Sequence, residues 1–96
     1  MDSQARIQKI LIEVALERSN VSKLEAIVKS RYYDEKLRHI RTLLDDAERA
    51  IGYAHKNHVA RWVEAAEMVF AIAVHYRRGV QEVIEKYGPD MDAIGK

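Results

Sequence analysis

Residues 59–87 read VARWVEAAEMVFAIAVHYRRGVQEVIEKY. Within them Val59, Trp62, Ala66, Val69, Ala73, Tyr76, Val80, Val83 and Tyr87 follow one another at alternating steps of three and four. Side chains at that spacing lie along one stripe of an α-helix, so the stretch is expected to be a long helix, from about His58 to Tyr87, with an apolar seam. Val63, Phe70, Val74 and Ile84 broaden the stripe enough to meet a second neighbouring helix. Gly79 lies inside it, at a cost of up to about 1 kcal/mol against alanine. Gly88-Pro89 closes it, a glycine that can cap followed by a residue that cannot continue a helix.

The same rhythm occurs upstream. Tyr33, Leu37, Ile40, Leu44, Ala47, Ile51 and Ala54 are spaced by fours and threes. Asn57, preceded by His55 and Lys56, marks the turn that joins the two seams into a helical hairpin. The phase does not extend back to Leu24 and Val28. Nothing within Ser30–Asp34 forbids a continuous helix, which is the expectation; the alternative is a break there that folds the short first part back into a four-helix bundle.

An earlier helix is expected to start at Asp2 or Ser3, with Ala5, Ile7, Ile10, Leu11, Val14 and Ala15 buried. Ile12 and Leu16 widen its stripe, so it is expected to touch neighbours on two sides. Ser19-Asn20 is expected to stop it. Ser22-Lys23-Leu24-Glu25 has the spacing of a capping box, with Val21 before it as a staple, and would begin the next helix. No stretch reads as a strand. The fold class is therefore all-α: an antiparallel three- or four-helix bundle over residues 1–88 with a long central helical hairpin, followed by a flexible tail over 89–96.

Composition limits the function classes. A chain of 96 residues supports one core. Its 16 Lys and Arg against 15 Asp and Glu leave a formal charge of +1, so no global field draws it to nucleic acid or to an anionic membrane. The absence of cysteine excludes disulfides, thiolate catalysis and cysteine-ligated zinc. No apolar run is long enough to cross a bilayer, and Met1-Asp2-Ser3-Gln4 does not read as a signal peptide, so a cytoplasmic location is expected.

Length mismatch points to a partner. A central helix of about 35 residues would span about 52 Å, and a first helix ending at Ser19 only about 26 Å. The uncovered end would leave Leu44, Ile51, Val59, Trp62, Val63 and Ala66 as an apolar partner surface, which favours a homodimer or another protein partner.

Antiparallel register about the turn brings Arg31, Lys36, Arg38 and Arg41 level with Arg77 and Arg78. His39, His75, Tyr32, Tyr33 and Tyr76 lie among them. This band is a candidate anion or nucleic-acid contact, with tyrosines available to stack bases. The plainer reading is a solvated face relieved by Asp34, Glu35, Glu82 and Glu85. Nucleic acid is not the favoured partner, because phosphate affinity grows with the number of cations engaged. The same register sets Arg49 opposite Glu64, and Asp45 and Asp46 near Glu67, as salt bridges flanking the seam.

His55 and His58 are three apart across the expected turn and lack a third ligand, so no metal and no cofactor is expected. Glu64 with Glu67, and Glu82 with Glu85, have the spacing of acid pairs in di-iron bundles and all-α pyrophosphatases. There such pairs sit on facing helices; here both lie on one. No serine sits in a glycine-flanked elbow, and no glycine loop could cradle a phosphate.

Arg49-Ala50-Ile51-Gly52-Tyr53-Ala54-His55 is similar to the R-x4-6-H motif of HEPN-family RNases. These are helical bundles that often dimerise to pair two such motifs. The resemblance covers two residues and implies Arg49 and His55 as a catalytic pair. It departs from the family at Ala50, where a polar residue usually follows the arginine.

The expectation is a non-enzymatic interaction or assembly module that self-associates. The alternatives are an RNA-acting protein, using the basic band or the Arg49/His55 pair, and a redesigned bundle that hosts a ligand or reaction between its helices.

Overall fold

The computed structural model describes residues 3–57 and 60–91. They form three helices, α1 (Ser3–Ile27), α2 (Arg31–Asn57) and α3 (Ala60–Tyr87). Contacts across the bundle give its topology. Arg18 of α1 reaches Asp45 and Glu48 of α2, and Arg41 of α2 reaches back to Glu25 of α1, so these helices are antiparallel. Arg6 pairs with Glu67 and Glu17 with Arg77, so α1 and α3 run parallel. Tyr33 lies against Gly88, His39 against Tyr76, and Tyr53 against Trp62, which makes α2 and α3 the expected antiparallel hairpin.

The α2 seam is buried as its spacing requires. Tyr33, Leu37, Ile40, Leu44 and Ala47 are fully covered, and Ile51 and Ala54 nearly so. Each large side chain buried there contributes about 1.5–3 kcal/mol. On α3 the buried line is Val63, Ala66, Ala73, Val80 and Ile84, with Val69, Tyr76 and Val83 at its edge. Trp62 and Tyr87, expected on the seam, are exposed instead. Helix α1 meets α3 at Glu67, Phe70 and Arg77, to one side of the expected seam, and the buried line is rotated accordingly. Val59 lies outside the described residues.

Helix α1 departs most from expectation. It does not stop at Ser19-Asn20 and no helix begins at Ser22; it continues to Ile27. Its buried line is Ile7, Ile10, Val14, Glu17, Val21 and Leu24, which keeps the three-four rhythm across the expected break. Ala5, Leu11 and Ala15, expected to be buried, are exposed. The polar side chains that suggested a cap have other uses. The Asn20 amide donates to Glu17, and the Ser22 hydroxyl accepts from Arg41.

The chain breaks instead between Ile27 and Arg31, so the middle helix is not continuous. No glycine or proline occurs there. The break is held by the far end of the chain: the Lys29 amide donates to the Pro89 carbonyl at 2.9 Å, and the Tyr33 hydroxyl donates to the Gly88 carbonyl at 2.8 Å. Gly88 has φ +91°, a left-handed conformation that other residues adopt at a cost, and its amide still closes on Ile84. Pro89 and Met91, placed by the sequence in a flexible tail, are thus joined to the bundle, Met91 packing against the core. Residues 92–96 lie outside the described residues. Ser30 is fully buried with its hydroxyl unpartnered, beside the same junction.

With helices of 25, 27 and 28 residues, the length mismatch disappears. Arg6 reaches Glu67 near one end of the hairpin, and Glu25 reaches Arg41 toward the other.

Candidate functional site

The basic band divides into two populations. Arg41 donates from Nε and Nη2 to Glu25 at 2.7 and 2.5 Å, and from Nη2 to Ser22. Arg77 donates from Nε and Nη2 to Glu17 at 2.6 and 3.0 Å, and from Nη1 to Gln81. Both guanidiniums are clamped in bidentate pairs by α1, not presented to a ligand. The Arg41 guanidinium hydrogen-bonded to Glu25 holds that carboxyl below the usual carboxylate range. Bonding to Glu17 raises the Arg77 pKa in turn. Arg31 pairs with Glu35 along its own helix. Arg38 and Arg78 are exposed, with no ion pair among the described residues.

Glu17 is the feature that sequence reading missed. Its side chain is only 5% exposed, on a position that the α1 rhythm assigns to an apolar residue. A buried carboxylate without a cation would be too costly to keep charged, so Arg77 is its necessary counterpart. The readable signal was the step from Val14 to Val21 through position 17, together with a basic residue at 77 on the α3 flank.

The α2–α3 ion pairs expected at the seam do not form. Arg49 pairs with Asp46 on its own helix, Asp45 with Arg18, and Glu67 with Arg6. Among the described residues, every ion pair between helices includes α1. Bonding to Arg6 also depresses the Glu67 carboxyl.

Lys36, His75 and the three tyrosines of the band line a cleft between α2 and α3. It encloses about 300 Å³ between Tyr32, Tyr33 and Lys36 of α2 and His75, Tyr76, Gly79, Val80 and Val83 of α3. The Tyr32 ring meets Tyr33 edge-on at 5.6 Å, and the Lys36 ammonium stands 5.3 Å from the Tyr32 centroid. Tyr76 meets His39 edge-on at 5.2 Å. Burial, with Tyr32 and Asp90 nearby, raises the Tyr33 phenol, which keeps it a neutral donor to Gly88. A Cβ added at Gly79 would meet nothing within 4 Å. The helix therefore carries a glycine costing about 1 kcal/mol that no close approach requires.

Arg49 and His55 are both exposed on α2. Six residues apart, they differ by about 9 Å along the helix and by about one-third of a turn around it, so one chain does not bring them together. His58 lies outside the described residues. Among the described residues no group of three or more metal-ligating side chains converges, and no helix is long and apolar enough to cross a membrane.

The expected partner surface is largely core. Leu44, Ile51, Val63 and Ala66 are at most 3% exposed, because the longer α1 covers the hairpin. Trp62 remains exposed, its ring 4.9 Å from that of Tyr53 and tilted to it by 46°. Apolar surface is found elsewhere. Ile12 is 61% and Leu16 62% exposed on the outer face of α1, with Leu11 and Ala15 exposed beside them. Comparison with protein-family models, with curated proteins and with solved structures finds no match to this chain.

Proposed function

We propose that the chain is a non-enzymatic assembly module that pairs with a second copy of itself through the outer face of α1. The observation that carries this reading is that α1 is apolar on both faces. Its inner line packs in the bundle, while Ile12 and Leu16 stand in solvent one turn apart, with Leu11 exposed on their flank. A helix apolar on both sides is suited to burial between two layers.

An antiparallel pair fits the outer face. Setting Ile12 of one copy against Leu16 of the other places Lys9 opposite Ser19 and Lys23 opposite Ala5. No like charges then meet, and the arrangement closes as a two-fold dimer.

The chain has no cysteine, so an introduced thiol is unique. In this register Ala15 lies beside the two-fold axis, with the two copies of that position about 3 Å apart along the helix direction. The two copies of Lys23 are separated by about 27 Å. Mild oxidation of A15C is expected to give a covalent dimer, and oxidation of K23C is not. Equal cross-linking of both, or of neither, contradicts the pairing.

A further inference from the structure

The cleft between α2 and α3 is independent of that pairing, since no residue of α1 lines it. Its walls are aromatic: Tyr32 on the α2 side is 44% exposed, and Tyr76 on the α3 side is half-buried. Each ring is held edge-on by an aromatic neighbour, Tyr33 and His39 respectively, so the walls are set before anything enters. Val80 and Val83 give an apolar floor, and the missing side chain at Gly79 leaves the space open.

Lys36 is the charged residue that lines the cleft, with His75 across from it on α3; no carboxylate is among the lining residues, and Asp90 acts on Tyr33 from outside them. Glu35, the acid beside Lys36 in sequence, is engaged by Arg31. Lys36 spends its charge on the exposed Tyr32 ring, an interaction that an entering anion can share or replace. The volume of about 300 Å³ is at the small end of sites that take organic ligands.

We infer that this cleft is a binding site for a small planar aromatic anion. The ring lies between Tyr32 and Tyr76 over Gly79, and the anionic group is met by the Lys36 ammonium, with the His75 imidazole as a second polar contact. Three features require this ligand class together. Aromatic walls favour a flat ring, the apolar floor disfavours a bare inorganic ion, and the unopposed ammonium favours a negative group.

The probe is 2-naphthoate, with the neutral 2-naphthylmethanol as its control. Binding to the full chain is followed by NMR at the ring resonances of Tyr32, Tyr76 and His75, and at the methyl resonances of Ile12 and Leu16. Saturable shifts of the three ring signals by naphthoate are expected, with binding at least tenfold weaker for the alcohol. G79L fills the open space with a residue that favours helix and is expected to abolish the shifts. K36Q removes the ammonium and is expected to weaken naphthoate about tenfold while leaving the alcohol unchanged. Unchanged far-UV circular dichroism shows that both variants are folded. The inference is overturned if the ring signals do not shift at millimolar naphthoate or if the alcohol binds equally well. It is also overturned if G79L binds as the parent does, or if only the α1 methyl signals move. Because I12E does not touch the cleft, repeating the titration in that variant separates failure of this site from failure of the α1 pairing.

Discussion

Removing the Arg77 guanidinium tests the central packing argument. Arg77→Leu leaves Glu17, whose side chain is 5% exposed, with one remaining donor, the Asn20 amide at 3.1 Å. The two bonds lost, at 2.6 and 3.0 Å, are the ones that neutralise the charge. Breaking one side of a buried ion pair costs about 3–5 kcal/mol. For a domain of this size that is a large share of a total of about 5–15 kcal/mol, and a fall in Tm of at least about 12 °C. Urea unfolding followed by circular dichroism gives the difference. Replacing both partners, in Glu17→Leu/Arg77→Leu, removes the buried charge as well and is expected to recover most of the loss. A single-variant cost below about 1 kcal/mol, or a double variant as damaged as the single, would refute the reasoning.

Gly88→Ala is expected to destabilise by about 1 kcal/mol or more, because φ is +91° there although space for a Cβ is open. Gly79→Ala, also with open space but in the interior of α3, is expected to stabilise by up to about 1 kcal/mol in the same unfolding assay. The Glu25 and Glu67 carboxyls have depressed folded pKa values, through Arg41 and Arg6. Their stabilising contribution is complete above the ordinary carboxylate value and is lost as pH falls through the depressed one. Glu25→Gln/Glu67→Gln should accordingly show a flatter loss of stability below about pH 4.5 than the parent.

Periodicity revealed the buried face of α2 but not its start, because all seven seam residues are apolar and all are buried, while the break before Arg31 was read as continuous helix. It located α3 but not its rotation, since Val63 and Ile84 are buried while Trp62 and Tyr87 are exposed, and the third helix that meets α3 had been misread. The misreading of α1 has two origins, the capping-box spacing of Ser22 and Glu25 and a polar residue on the seam. Glu17 occupies a seam position, and a test for apolar spacing fails there, although a carboxylate clamped by Arg77 fills the place. The polar pair Ser19-Asn20 then resembled a stop. The actual break after Ile27 carries no local marker, because its hydrogen bonds come from Gly88 and Pro89, some sixty residues away. Lys36 and His75 of the basic band come together at one cleft, but sequence alone could not separate the arginines held by α1 from the lysine and rings left there. The partner surface followed the mistaken helix length, whereas the two-sided apolar character of α1 was already visible at Ile12 and Leu16.

Solution mass by light scattering, over a wide range of concentrations, tests the assembly account most directly. The parent chain is expected to approach twice its 11.1 kDa mass, and Ile12→Glu/Leu16→Glu, altered only at exposed positions, to remain folded at the monomer mass. A parent that stays monomeric at every concentration, or a variant that still dimerises, would contradict it.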